Sequence, residues 1–177
     1  MNNNLREDRV ARRQVYVRYL CAMLVGNIAW ETIHLPLYTL WQPGTRSYLT
    51  FVVLHCSAGD LMIATIALIV AGMLAGRGWP LRNYNRVTVL SVVFGLVYTV
   101  FSEWLNVSVR GSWAYTAAMP VIPILGTGLS PALQWVVVPI ASFAWARPRI
   151  GKSGSLPQVP PEAEHPLIRR AEGNING

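Results

Sequence analysis

The chain has 177 residues, of which 53% are hydrophobic and only 13% charged, and its 15 basic against 8 acidic side chains give a formal net charge of +7. Soluble domains carry about a quarter charged residues, so this composition, with a mean hydropathy of +0.35, argues against a soluble enzyme, a disordered protein and a disulfide scaffold. The basic surplus falls in short arginine clusters between long apolar runs, which describes a multi-pass membrane protein and no nucleic-acid partner.

Four runs are long and apolar enough to cross a hydrocarbon core, which takes roughly 20 helical residues. In chain order they are Val15 to His34, Tyr48 to Ala75, Val87 to Val107 and Gly128 to Ala146. The expected fold is therefore all-α, a four-helix transmembrane bundle over residues 15–146, preceded by a basic N-terminal segment, 1–14, and followed by a tail, 147–177. Lys and Arg collect in short cytoplasmic loops. Arg6, Arg9, Arg12 and Arg13 precede the first run, Arg77, Arg82 and Arg86 separate the second from the third, and Arg147, Arg149 and Lys152 follow the fourth. The other two loops carry one basic residue each, Arg46 and Arg110. Charge and span count thus agree on cytoplasmic termini in an inner (plasma) membrane, with the lipid bilayer as partner.

Tyr38, Trp41 and Tyr48 bracket the first outer loop, as expected for side chains that favour the headgroup level. The first run continues into Trp30-Glu31 without a small-residue cleavage site, so it reads as a retained anchor. The tail holds five prolines among Gly, Ser and mixed charge, a composition expected to stay disordered. Cys21 and Cys56 fall at different depths, which does not suit a disulfide.

Ionisable groups within spans cost on the order of 2.5–3.5 kcal/mol each on insertion scales and usually mark function. Here they are Glu31, His34, His55, Asp60 and Glu103, joined by Asn106 and Gln134, and nearly all belong to the outer halves of their spans. Glu31 and His34 are three residues apart and share a helix face; Glu103, Asn106 and Arg110 form a similar stripe if the third helix persists that far. Three readings follow. Glu31, Glu103, His34 and His55 could supply acid/base catalysis on a lipid-like or small apolar substrate held by Asp60, Asn106, Arg110, Trp113, Tyr115 and Gln134. Alternatively, Glu31, His34 and His55 could hold a divalent metal, or His34 and His55 a haem. In the third reading the polar groups do no more than pair with one another and hold the bundle together.

The second outer loop, Ser108 to Thr127, contains an apolar run broken by Pro120 and Pro123. It is too apolar for a solvated loop and cannot form a long regular helix. It is expected either to cover the polar cluster as a lid or to pack at the membrane interface.

The stretch Gly26 to Trp41, with Ser102-Glu103-Trp104-Leu105-Asn106 and Gly128 to Trp135, resembles small four-span inner-membrane proteins of bacteria, a likeness that implies the bundle but brings no activity. Ser, Asp and His within helices are also similar to intramembrane metal hydrolases of the ceramidase and progestin-receptor type. This chain departs from them in lacking a His-x-x-x-His pair.

Overall fold

The computed structural model describes residues 2–76, 79, 80 and 82–148. The expected tail lies outside the described residues except for Arg147 and Pro148. The described chain is helical, with no strand, and has four helices long and apolar enough to cross a membrane. They are α1 (Asn2–His34), α2 (Arg46–Ala75), α3 (Tyr84–Glu103) and α4 (Leu129–Ala146).

Helix α1 begins well before the expected Val15. Residues 2–14 contain no glycine or proline, and their Leu, Arg, Glu, Ala and Gln side chains are good helix formers, so a helix nucleated further along extends through them. Pro36 then ends it, and two 3₁₀ turns, Leu35–Leu37 and Thr39–Trp41, lead out of the bundle. Helix α2 is capped by Thr45, whose side chain accepts from the Tyr48 amide at 3.3 Å. It ends at Gly76, whose φ of 85° suits a residue without Cβ. Asn83, also left-handed, donates from Nδ2 to the Ala75 carbonyl at 2.9 Å and so ties the end of α2 to the start of α3.

Helical periodicity sets the packing. The buried residues of α1 recur every fourth position, Val15, Tyr19, Met23, Asn27 and Glu31, and those of α3 do likewise, Val87, Ser91, Gly95, Thr99 and Glu103. Small residues on such stripes let helices approach closely. A Cβ on Gly95 would come within 2.0 Å of the Trp135 ring, so α4 packs its indole directly on the α3 backbone. Helix α1 packs against α2 and α4, and α3 against the same two, closing a four-membered bundle. One end is filled by Val15, Tyr19, Met23, Leu68, Phe143 and Ala146. There the rings of Tyr19 and Phe143 lie 4.3 Å apart, and the Tyr84 hydroxyl donates to the Phe143 carbonyl at 2.6 Å. The outward faces are apolar as well: Ile33 is 79% exposed and Met73 76%.

Beyond Glu103, α3 loosens into one wide π turn, Trp104–Val109, closed by the Arg110 amide on the Leu105 carbonyl at 2.8 Å. The loop that follows crosses back over the bundle end. Tyr115 pairs antiparallel with Tyr38, the Thr39 amide donates to the Ala114 carbonyl and the Thr116 amide to the Leu37 carbonyl, each at 2.9 Å.

Candidate functional site: an acidic, aromatic cavity at one end of the bundle

A cavity of about 460 Å³ lies at the end of the bundle formed by the C-terminal parts of α1 and α3 and the N-terminal parts of α2 and α4. Each helix contributes one face. From α2 the lining residues run Phe51, Val52, His55, Cys56, Gly59 and Asp60, a three-four spacing that turns one stripe inward. From α3 come Tyr98, Thr99, Ser102 and Glu103, and from the π turn after it Asn106; α1 supplies Glu31 and His34, and α4 Gln134 and Trp135. Phe51, His55 and Tyr98 line it while remaining exposed, so the cavity opens sideways between α2 and α3. At Gly59 an added Cβ would meet nothing within 4 Å, which leaves room beside the backbone halfway down α2.

Glu31 is the centre of the buried hydrogen bonds. One carboxylate oxygen, Oε2, meets His34 Nε2 at 3.1 Å, and the other, Oε1, accepts from Gln134 Nε2 at 3.1 Å. The other imidazole nitrogen, Nδ1, lies 3.1 Å from Ser130 Oγ, which also accepts from the Trp30 indole at 3.2 Å. The indole occupies one lone pair of the serine, so the arrangement that satisfies every group has Ser130 donating to Nδ1 and His34 donating from Nε2 to Glu31. This orders Ser130, His34 and Glu31 in one line. Ser130 does not line the cavity whereas His34 and Glu31 do, so the serine orients the imidazole and is not placed as a nucleophile.

Gln134 joins three helices. Its Nε2 has Asn27 Oδ1 at 3.2 Å, Glu31 Oε1 at 3.1 Å and Asp60 Oδ2 at 3.0 Å. An amide nitrogen has two hydrogens, so three oxygens compete for two donors. Asn27 is 1% exposed, yet its own Nδ2 has no partner.

Glu103 is held from above. Its carboxylate accepts from the Tyr115 hydroxyl, whose oxygen in turn accepts from the Gly128 amide at 2.9 Å. Burial, and then the bond to Glu103, push the Tyr115 hydroxyl above the ordinary tyrosine range, so it stays a donor. Tyr38 is raised too, by burial first and by Glu103 second. The rings of His34, Tyr38 and Tyr115 follow one another at 5.2 and 5.6 Å, linking the Glu31 and Glu103 sides of the cavity. Trp113 also lines the cavity, with its indole N–H buried and unpartnered.

Most of the residues singled out from the sequence meet here: Glu31, His34, Asp60, Glu103, Asn106, Trp113 and Gln134, with His55 at the rim. Tyr115 acts from outside the lining through Glu103. Arg110 is not brought to the cavity: the wide π turn breaks the three-four stripe one turn after Glu103, and the arginine is exposed and does not line the cavity. Nor are Glu31, His34 and His55 drawn together as one group. Among the described residues no three His, Cys, Asp or Glu side chains are grouped to hold a metal ion. Glu31 and His34 are spent on each other, and His55 stacks on Phe51 at the rim, 5.5 Å between rings. Both nitrogens of His34 are engaged, one by Ser130 and the other by Glu31. The second loop divides into covered and exposed parts. Residues near Tyr115 cover the bundle end, Met119 and Thr127 are buried, and the tip at Ile124 is 95% exposed.

Asn27, Trp30 and Ser130 were not legible as site residues. The signal for Asn27 was present, since it lies one turn before Glu31 on the same stripe; Ser130 gave none, because only the packing of α4 against α1 brings it to His34. The chain matches no family model, no curated protein and no solved structure.

Proposed function

We propose that this is a four-span inner-membrane protein, with both termini cytoplasmic, that takes a lipid-like or small apolar substrate into the cavity between α2 and α3 and acts on it by proton transfer. One observation carries the reading: carboxyl groups from three helices, Glu31 on α1, Asp60 on α2 and Glu103 on α3, line one cavity whose remaining wall is largely aromatic and aliphatic. Polar groups used only to fasten a bundle are expected to be packed against one another and leave no space; these border about 460 Å³. The apolar outer faces and the arginine pattern support a bilayer on all sides, and the sideways opening would then face acyl chains or the headgroup level.

In this reading Glu31 gives or takes the proton. His34 holds the carboxylate and can pass a proton on, as an imidazole ordered by Ser130 is suited to do. Glu103, on the far wall, serves as the second acid/base group, and Asp60 with Gln134 positions the polar end of the substrate. Native mass spectrometry of the purified protein is expected to find a co-purifying lipid-like molecule. Glu31→Gln and Glu103→Gln are expected to remove turnover of that molecule at unchanged folded yield. Loss of folding in both, with no retained molecule, would replace this reading by a purely structural one.

A further inference from the structure

The charge balance of the cavity is one-sided. Glu31, Asp60 and Glu103 line it, and no lysine or arginine does among the described residues. Glu31 has His34 as its partner, but the donors facing Asp60 and Glu103 are uncharged, the Gln134 amide and the Tyr115 hydroxyl, with the Trp135 and Trp113 indoles beside them. The one donor shared among this group is over-subscribed, because three oxygens face the two hydrogens of Gln134 Nε2. The buried Asn27 Nδ2 beside this group, without a partner, shows that the polar cluster is not closed upon itself. Around it stand Tyr38, Phe51, Tyr98, Trp113 and Trp135, whose ring faces attract cations within about 6 Å. Buried carboxylates are stable when paired, and aromatic walls with carboxylates suit a positive charge on an apolar body.

We infer that the ligand of this cavity is an amphiphilic amine, its ammonium group placed between Asp60 and Glu103 and its apolar body lying toward the opening at Phe51 and Tyr98. The inference rests on the binding reading above and narrows its substrate class. An ammonium brings three donors and a positive charge to carboxyl groups that no lysine or arginine faces. A carboxylate, phosphate or sulfate headgroup would meet three carboxyl groups with no lysine or arginine among the lining side chains. A neutral alcohol would offer one donor and no charge.

The probes are 4-phenylbutylammonium and 4-phenylbutanol, of matching length and differing in charge, titrated against the full-length protein in neutral detergent and followed by tryptophan fluorescence. The amine is expected to bind at least tenfold more tightly. Asp60→Asn and Glu103→Gln are each expected to reduce that preference severalfold. Gly59→Leu, which places a side chain in the open space of the cavity, is expected to weaken the amine tenfold or more. If the alcohol binds as tightly as the amine and Gly59→Leu weakens both, the cavity is a ligand site but the cationic assignment is wrong. If neither probe binds, or binding survives Gly59→Leu, the assignment and the underlying site reading both fall. Should a variant not fold, the amine against alcohol comparison on the unmodified protein still decides the charge assignment.

Discussion

The same four helices build two unlike regions. At one end Tyr19, Met23, Leu68 and Phe143 fill the interior; at the other the continuation of the same stripes presents Glu31, Glu103 and Gln134 to a cavity, with Asn27 buried behind them. On α1 the change occurs between Met23 and Asn27, one turn apart on one face. Both residues lie within the regular part of α1, so along that helix the change is one of side-chain chemistry. Close packing of apolar groups makes the first end a clamp. Carboxyl groups with few donors keep the second from collapsing, because a collapsed carboxylate loses its hydration without gaining a partner.

Substitutions can test that division. The largest loss is expected for Phe143→Ala at the filled end, about 3–5 kcal/mol, the cost of a buried aromatic truncated in a close-packed core; thermal unfolding in detergent measures it. Any ligand binding should then fall only with the folded fraction. Glu31→Ala at the open end is expected to cost less, about 1–3 kcal/mol, because it strands His34 Nε2 and one Gln134 bond rather than opening a void in packed rings. A cost equal to that of Phe143→Ala would make the carboxyl cluster the clamp and break the comparison.

Smaller still is Tyr115→Phe, which removes the donor to Glu103 and the acceptor of the Gly128 amide, at about 1–2 kcal/mol. Hydrogen exchange at Gly128 is expected to quicken while amides of α1 and α2 at the filled end do not change. The Tyr115 hydroxyl lies above its ordinary value near 10, so its stabilising contribution is complete below that pH and is lost only as pH rises through the higher folded value. Absorbance near 295 nm is therefore expected to show tyrosines that ionise later than the free side chain, and Tyr115→Phe should lower the amplitude of that late phase by one tyrosine. The smallest effect has the opposite sign. Gly59→Ala extends into open space and should stabilise α2 by roughly 0.5–1 kcal/mol, seen as a small rise in melting temperature. A fall instead would mean that the space beside Gly59 is needed for the fold.

Much of this was readable along the chain. Hydropathy runs gave the spans to within a few residues except at the start of α1, where good helix formers carry the helix through the basic segment. The three-residue step from Glu31 to His34 correctly placed both on one face. The relation of Glu103 to Arg110 did not follow, because a π turn inserts a wider loop of backbone that no spacing rule detects. His55 obeyed its periodicity and still ended at the rim, since the place of a stripe relative to the neighbouring helix is a property of the pair.

The sequence by itself determined four apolar helices and the concentration of ionisable groups toward one end of them, because span length and burial cost are local properties of each segment. Only the tertiary structure decided which of those groups meet. The approach of α4 to α1 brings Ser130 to His34 and Gln134 to Asn27, Glu31 and Asp60, contacts between residues about 74 to 107 positions apart in the chain that depend on helix rotation and depth.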